Sequence, residues 1–347
     1  MGKGSGARIK EIAQRLGLSA GTVSIVLNGR GDAMRISKAT QQRVREAAKE
    51  MDYQPNIYAR RLRTTGGEET ARVIAVFWNS GYADDVMGRF FRGLHSTAQE
   101  KGYQVEFYVQ LFEFGQLSRY RSLMTHQRFS GIIICGVSEQ DAEFLNANEF
   151  DLPIVLLLRN ERRYHCVYVE DYEVGKNVSR LFSQRGHLSA GLVGSLQKGQ
   201  SATLRKLGFM EMCKRCGIEI CEEWVQETEG RDYLSGYKAM KELLHSERKP
   251  EAIYVMAPEQ VLGVLGACKE AGLSVPGDME ILAYGDSDAF DCFSPTVSSN
   301  YISMQEVAES ALNLIILVIE NDIDMPMSRI LNAEYVFRES CGGFLEP

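Results

Sequence analysis

Ser19, Thr22, Ser24, Asn28, Arg30 and Arg35 crowd one short stretch near the start of the chain. Hydroxyl, amide and guanidinium groups on short reaches of backbone suit phosphate oxygens, and they fix a protein on a nucleic acid without reading its sequence. The residues around them supply a scaffold. Ile9, Ile12, Ala13 and Leu16 recur at helical spacing and give a first helix one apolar face. Gly17 can take the conformation that ends that helix, and Ser19 can cap a second one that buries Val23, Val26 and Leu27. Two short helices joined by a tight Gly-containing turn form a helix-turn-helix unit, whose second helix fits the major groove of DNA.

Charge points the same way. Residues 1–65 hold 13 Lys and Arg against 5 Asp and Glu, whereas the whole chain has 39 against 46 and a net charge of −7. A basic head on an acidic body is expected where one end meets phosphate. The competing explanation, a solvated basic surface on a small helical domain, leaves the turn pattern unaccounted for.

No catalytic set stands out. The five His are scattered, Gly194-Ser195-Leu196 lacks the nucleophile elbow, and neither a Walker loop nor a complete GxGxxG occurs. Cys213, Cys216 and Cys221 have a zinc-like spacing but no fourth ligand follows, so thiols without metal, no cofactor and no enzyme activity are expected. Eight Cys without a disulfide-like framework fit a reducing compartment. No apolar run reaches the roughly 18 residues of a membrane span, and the start MGKGSG reads as disordered rather than secretory.

The 347 residues suffice for two or three units. A third head helix is capped by Ser37, carries Val44, Ala47, Ala48 and Met51 on its apolar stripe, and ends at Asp52-Tyr53-Gln54-Pro55. Asn56 to Arg63 is a short basic helix candidate, and 64–69 reads as a joint. From Arg72 onward, apolar runs alternate with amphipathic segments. Strands are expected at 73–78, 105–109, 131–135, 153–158, 188–194, 252–256 and 280–284. Helices are expected at 86–102, between the second and third strands, and near 202–216 and 259–271. That alternation gives α/β lobes with buried parallel sheets flanked by helices, whose ligands sit at the carboxyl ends of strands.

The stretch from Ile9 to Thr64 closely resembles the headpiece of LacI/GalR-type transcription regulators. It carries IKEIAQRLGLSAGTVSIVLN, then ISKATQQRVREAAKEMDYQPN, then IYARRLRT. VPGDMEILAYGD, SPTVSS and FRES extend the resemblance more loosely. It implies a helix-turn-helix headpiece over 1–55, a hinge helix and linker over 56–71, and a two-lobed periplasmic-binding-protein-like body over 72–340. Chain crossovers between lobes would fall near 160, 290 and 325. It adds Ile9, Lys10, Ala20, Gly21, Ile25, Tyr53, Asn56, Ala59 and Leu62 to the DNA-contacting set, with Leu62 as a wedge between bases. For the body it implies an effector cleft contacted by Arg205 in ATLRKLGF, by Asp286 and Glu259, by the aromatic residues Trp78 and Tyr82, and by Arg231.

Three departures stand out. Ala20 and Gly21 replace larger base-reading side chains, Ile25 replaces a guanine-reading Arg, and the segment after Asn28 is longer than usual. The resulting expectation is a cytoplasmic, nucleoid-associated bacterial repressor. It would act as a homodimer on a pseudo-palindromic double-stranded operator and answer to a small-molecule effector, a sugar or sugar phosphate. The alternative is a small-molecule binding protein or enzyme on the same frame, with a secretion signal or a catalytic triad as the discriminating feature.

Overall fold

A computed structural model describes residues 9–27, 31–32, 34–51, 71–82, 84–196, 200–285 and 287–345, with backbone alone for Ile9, Lys10, Asp84 and Asp85. The chain divides into two compact units, one containing Met1–Arg72 and the other Val73–Ser122 with Ser130–Pro347.

The small unit has three helices, α1 (Ile9–Leu16), α2 (Ala20–Leu27) and α3 (Lys38–Glu50). Gly17 takes φ +67°, and the Leu18 N–H reaches back to the Ala13 carbonyl at 2.9 Å, closing α1. Ser19 Oγ accepts from the Thr22 N–H at 3.0 Å and starts α2; Ser37 does the same for α3 through Thr40 at 3.2 Å. Ile12, Ala13, Val23, Val26, Val44, Ala47 and Ala48 form the core.

The large unit holds two six-stranded sheets. The first contains β1 (Arg72–Asn79), β2 (Val105–Phe112), β3 (Gly131–Cys135), β4 (Ile154–Leu157), β5 (His165–Val169) and β11 (Ser328–Leu331), in the order β11-β5-β4-β3-β1-β2. The second contains β6 (Ala190–Ser195), β7 (Val225–Thr228), β8 (Ala252–Val255), β9 (Glu280–Tyr284), β10 (Ser298–Tyr301) and β12 (Glu334–Val336), in the order β12-β10-β9-β8-β6-β7. The two orders are the same once each sheet is counted from its own first strand, so the lobes repeat one doubly wound plan. In the first sheet β11, β5, β4, β3 and β1 pair in parallel, and in the second β10, β9, β8, β6 and β7 do, with β12 antiparallel to β10. The helices are α4 (Asp84–Lys101), α5 (Glu139–Asn146) and α10 (Met304–Asn321) in the first lobe. The second lobe has α6 (Asp171–Gln184) and α7 (Gln200–Cys216), with α8 (Tyr233–Leu244) and α9 (Val261–Glu270) over a separate apolar cluster.

The chain passes between lobes at 169–171, 301–304 and 331–334 rather than near 160, 290 and 325. Before each passage one further strand joins the sheet being left: HCVYV, SSNY and SRIL. The helix expected between β2 and β3 is a 3-10 segment, Leu117–Leu123. Gly115 turns the chain at φ +75°, and the buried Asp141 carboxylate accepts the N–H groups of Gly115 at 2.9 Å and Leu117 at 3.0 Å. Those bonds hold the segment to the N-terminus of α5 instead of letting it coil.

Candidate DNA-reading face and ligand cleft

On α2, Ser19, Ala20 and Gly21 are exposed, while Thr22, Ser24 and Ile25 are half-buried. The Ser19 and Thr22 hydroxyls lie 2.8 Å apart, so capping the helix also orients both oxygens. Before α3, the described residues Gly31, Asp32 and Met34 to Ser37 are tied together by two residues that sequence reading passed over, Gln41 and Asp32. Gln41 is 2% exposed and donates to Asp32 Oδ1 and to the Ile36 carbonyl, both at 2.8 Å. Asp32 also holds Lys38 Nζ at 2.7 Å, and bonds from Lys38 and Gln41 keep its carboxyl below the usual range. Gly31 sits against Gln41, where a Cβ would come within 2.5 Å of the amide carbon. Arg35 is exposed at φ +56°, its N–H bonded to the Asp32 carbonyl at 3.0 Å. Asn28, Arg30, Tyr53, Asn56, Ala59 and Leu62 lie outside the described residues, as do the side chains of Ile9 and Lys10.

In the large unit, the carboxyl ends of strands from both sheets surround a cavity of about 340 Å³. Tyr82 follows β1, Asp171 follows β5, Arg231 follows β7, and Tyr284 and Tyr301 end β9 and β10. Ser201 stands at the start of α7, and Ser303, Met304 and Gln305 at the start of α10.

Arg205 and Asp171 meet in this wall. Arg205 is 4% exposed and Asp171 5% exposed; Arg205 Nη2 lies 2.6 Å and Nε 3.2 Å from Asp171 Oδ1. The guanidinium carbon sits 3.1 Å from the centre of the Tyr284 ring, a stacked cation–π contact. Burial opposes the charge on Arg205, but Tyr284 and Asp171 outweigh it and hold its pKa above the ordinary range. Burial pushes the Tyr284 phenol up to about 12 and the Tyr82 phenol higher still, so both are neutral hydroxyls at pH 7. The pair spans α6 and α7, which cross in near contact. A Cβ on Gly175 would lie 1.9 Å from the Arg205 carbonyl, and one on Gly208 would lie 2.0 Å from the Tyr172 carbonyl. The glycine of ATLRKLGF is therefore what lets the Arg205 helix reach Asp171.

Of the expected effector residues, Tyr82, Arg205 and Arg231 line the cavity, and Glu259 stands behind Arg231 at 3.3 Å. Trp78 does not line it: the indole is 1% exposed and packs on Phe90 with ring centres 5.2 Å apart, because an aromatic inside β1 faces the helix layer and not the strand end. Asp286 lies outside the described residues. The sequence reading missed Asp171, Tyr284, Arg89 and Arg92. The two arginines sit three apart on α4, a signal indistinguishable in sequence from a solvated helix face.

A basic helix-turn-helix unit joined in one chain to a two-lobed body with a ligand-sized cavity defines a DNA-binding regulator with a ligand-binding domain. Residues 8–56 match the family described as bacterial regulatory proteins, lacI family, and residues 180–341 match a periplasmic binding protein-like domain. The chain is similar to the HTH-type transcriptional repressor PurR of Pectobacterium atrosepticum, with 25% identity over 315 residues and 89% of each chain covered. A crystal structure of a LacI family transcription regulator from Clostridium acetobutylicum is 28% identical, with 77% of this chain and 99% of that one covered at a TM-score of 0.73. The Lac repressor dimer bound to operator and the anti-inducer ONPF shares the fold, at 20% identity and a TM-score of 0.68 over 98% of this chain and 100% of that one. The chain thus joins a lacI-family helix-turn-helix domain to a periplasmic binding protein-like domain, as the regulators it is similar to do.

Proposed function

We propose that this regulator is an effector-responsive repressor that binds a pseudo-palindromic operator as a homodimer in the bacterial cytoplasm. Two headpieces reading two half-sites match the two-fold symmetry of such DNA. Ser19, Thr22, Ser24 and Arg35 anchor phosphates. Ala20, Gly21 and Ile25 offer few hydrogen bonds to base edges, so operator shape carries much of the specificity. Leu62, set among Arg60, Arg61 and Arg63 in sequence, serves as the apolar wedge of a hinge that unstacks one base step.

The observation that carries the effector reading is the cavity at the carboxyl ends of both sheets, with the buried Arg205–Asp171 pair in its wall. A ligand touching both lobes changes their relative free energies, and only such a difference can move a regulator between states. Proteins sharing this fold include a CelR–cellobiose complex and a regulator from Enterococcus faecium with bound ribose, which supports a sugar-related ligand.

The test begins with genome-wide mapping of bound DNA, followed by titration of a mapped site in the presence of compounds handled by the neighbouring genes. Site-specific binding that one of these compounds changes, with the response altered in Arg231→Ala, is the expected result. Absence of any preferred site sinks the repressor reading. A preferred site whose affinity no compound alters sinks the effector reading.

A further inference from the structure

Four guanidiniums line the cleft, those of Arg89, Arg92, Arg205 and Arg231, against one lining carboxylate, Asp171, among the described residues. Asp171 is consumed by Arg205 at 2.6 Å. The other pairs are loose. Arg231 meets Glu259 at 3.3 Å with both side chains about one-third exposed, and Arg89 meets Asp288 at 3.2 Å with the carboxylate fully in solvent. Arg92 has no ion pair among the described residues. Among the described residues, three carboxylates, two of them outside the lining, thus stand against four arginines of a concave wall, where low-dielectric surroundings focus the positive field. The starts of α7 and α10, at Ser201 and at Met304–Gln305, open into the same space and add the positive ends of two long helices.

The described lining holds groups that can donate or accept in Tyr82, Ser201, Tyr284, Tyr301, Ser303 and Gln305, and one carboxylate, Asp171, already bonded to Arg205. What sets the cleft apart is its four guanidiniums, which only donate and carry fixed charge. Guanidinium forks match the oxygens of a phosphate, and a phosphate monoester brings close to two negative charges where a carboxylate brings one. A cavity of about 340 Å³ lies at the small end of ligand pockets.

Resting on the cleft reading above, we propose that the effector is a small organic phosphate, its phosphate held by Arg89, Arg92 and Arg231 over the floor made by Arg205 and Tyr284.

The experiment is calorimetric titration of the full chain at constant ionic strength with inorganic phosphate, glucose 6-phosphate and glucose. Each is repeated on an Arg89→Gln/Arg92→Gln double variant whose thermal unfolding is checked. Inorganic phosphate and glucose 6-phosphate are expected to bind while glucose does not, and the double variant is expected to weaken both by about tenfold or more, the scale of lost charge-assisted contacts. No binding of inorganic phosphate, or equal binding by the double variant (the result of phosphate settling on the basic headpiece), overturns the proposal. If neutral compounds from the operator-side screen bind instead and lose affinity in Arg231→Ala, the cleft reading stands and only the anionic class falls. If neither phosphates nor that screen bind, both fall.

Discussion

Arg205 stands inside the wall of the cleft, and that placement changes what its removal does. Buried ion pairs are costly to break because the surviving charge stays desolvated. Arg205→Ala would strand Asp171, so a loss of about 3–5 kcal/mol in unfolding free energy is expected, read from urea denaturation. Arg205→Lys keeps the charge while losing the planar stack on Tyr284 and should fall between. A fully stable alanine variant would show that Asp171 finds another partner. Glu280 offers a pH-dependent counterpart far from the cleft. It accepts from Arg185 at 2.5 and 2.7 Å, and His187 Nε2 lies 2.9 Å away. Burial raises its pKa, but Arg185, His187 and Cys341 outweigh that and bring it from an ordinary 4.5 to about 2. A depressed carboxyl contributes stability above its unfolded pKa and loses it as pH falls toward the folded one. The parent should therefore lose on the order of 3 kcal/mol more than Glu280→Gln between pH 5 and pH 2. Parallel acid limbs in urea midpoints would refute the assignment.

At the scale of elements, the crossing of α6 and α7 builds the site. Gly208→Ala places a methyl about 2.0 Å from the Tyr172 carbonyl, a backbone atom that cannot swing aside. The helices must separate, at a cost of about 1–3 kcal/mol or more, and Asp171 and Arg205 move apart with them. Thermal unfolding should show the loss, and ligand titration should show weaker binding at temperatures where the variant is folded. Unchanged ligand affinity would separate the crossing from the site. Sequence periodicity showed strands made of continuous apolar runs, such as VIAVFW and GIIIC, because burial on both faces demands them, but it passed over the buried HCVYV of β5, which opens on His165. It did not show β10, whose Ser298, Ser299 and Asn300 are fully buried. That strand is held by side-chain bonds, including Ser298 Oγ to the Cys341 carbonyl at 2.6 Å and the Ser298 N–H to Ser340 Oγ at 2.9 Å. A strand satisfied through polar groups carries no apolar signature. The same limit hid Asp171 and Tyr284: each reads as an ordinary strand-end residue until the fold brings α7 beside it. Arg205 was singled out only through the resemblance of ATLRKLGF to a family motif, and the glycine of that motif is the one the crossing requires.

At the scale of the whole molecule, charge separates the work of the two units. The first 65 residues carry 13 of the 39 Lys and Arg but only 5 of the 46 Asp and Glu. Some of these cations are engaged internally: Arg15 meets Glu50 at 2.6 Å and Lys38 meets Asp32 at 2.7 Å. Both pairs are exposed, and exposed pairs contribute little, so phosphate can compete for them. Each phosphate neutralised releases counterions and adds about 0.9 to the slope of log affinity against log salt concentration. Operator affinity should therefore fall steeply and linearly on that scale, with non-specific DNA showing a similar slope at weaker affinity. The acidic remainder should not bind DNA at all, since at pH 7 it repels phosphate. Titration of operator at several salt concentrations, with the full chain and with residues 1–65 removed, measures both. A shallow slope would mean that base-edge contacts dominate despite Ala20, Gly21 and Ile25, and undiminished affinity after the deletion would place DNA binding in the body.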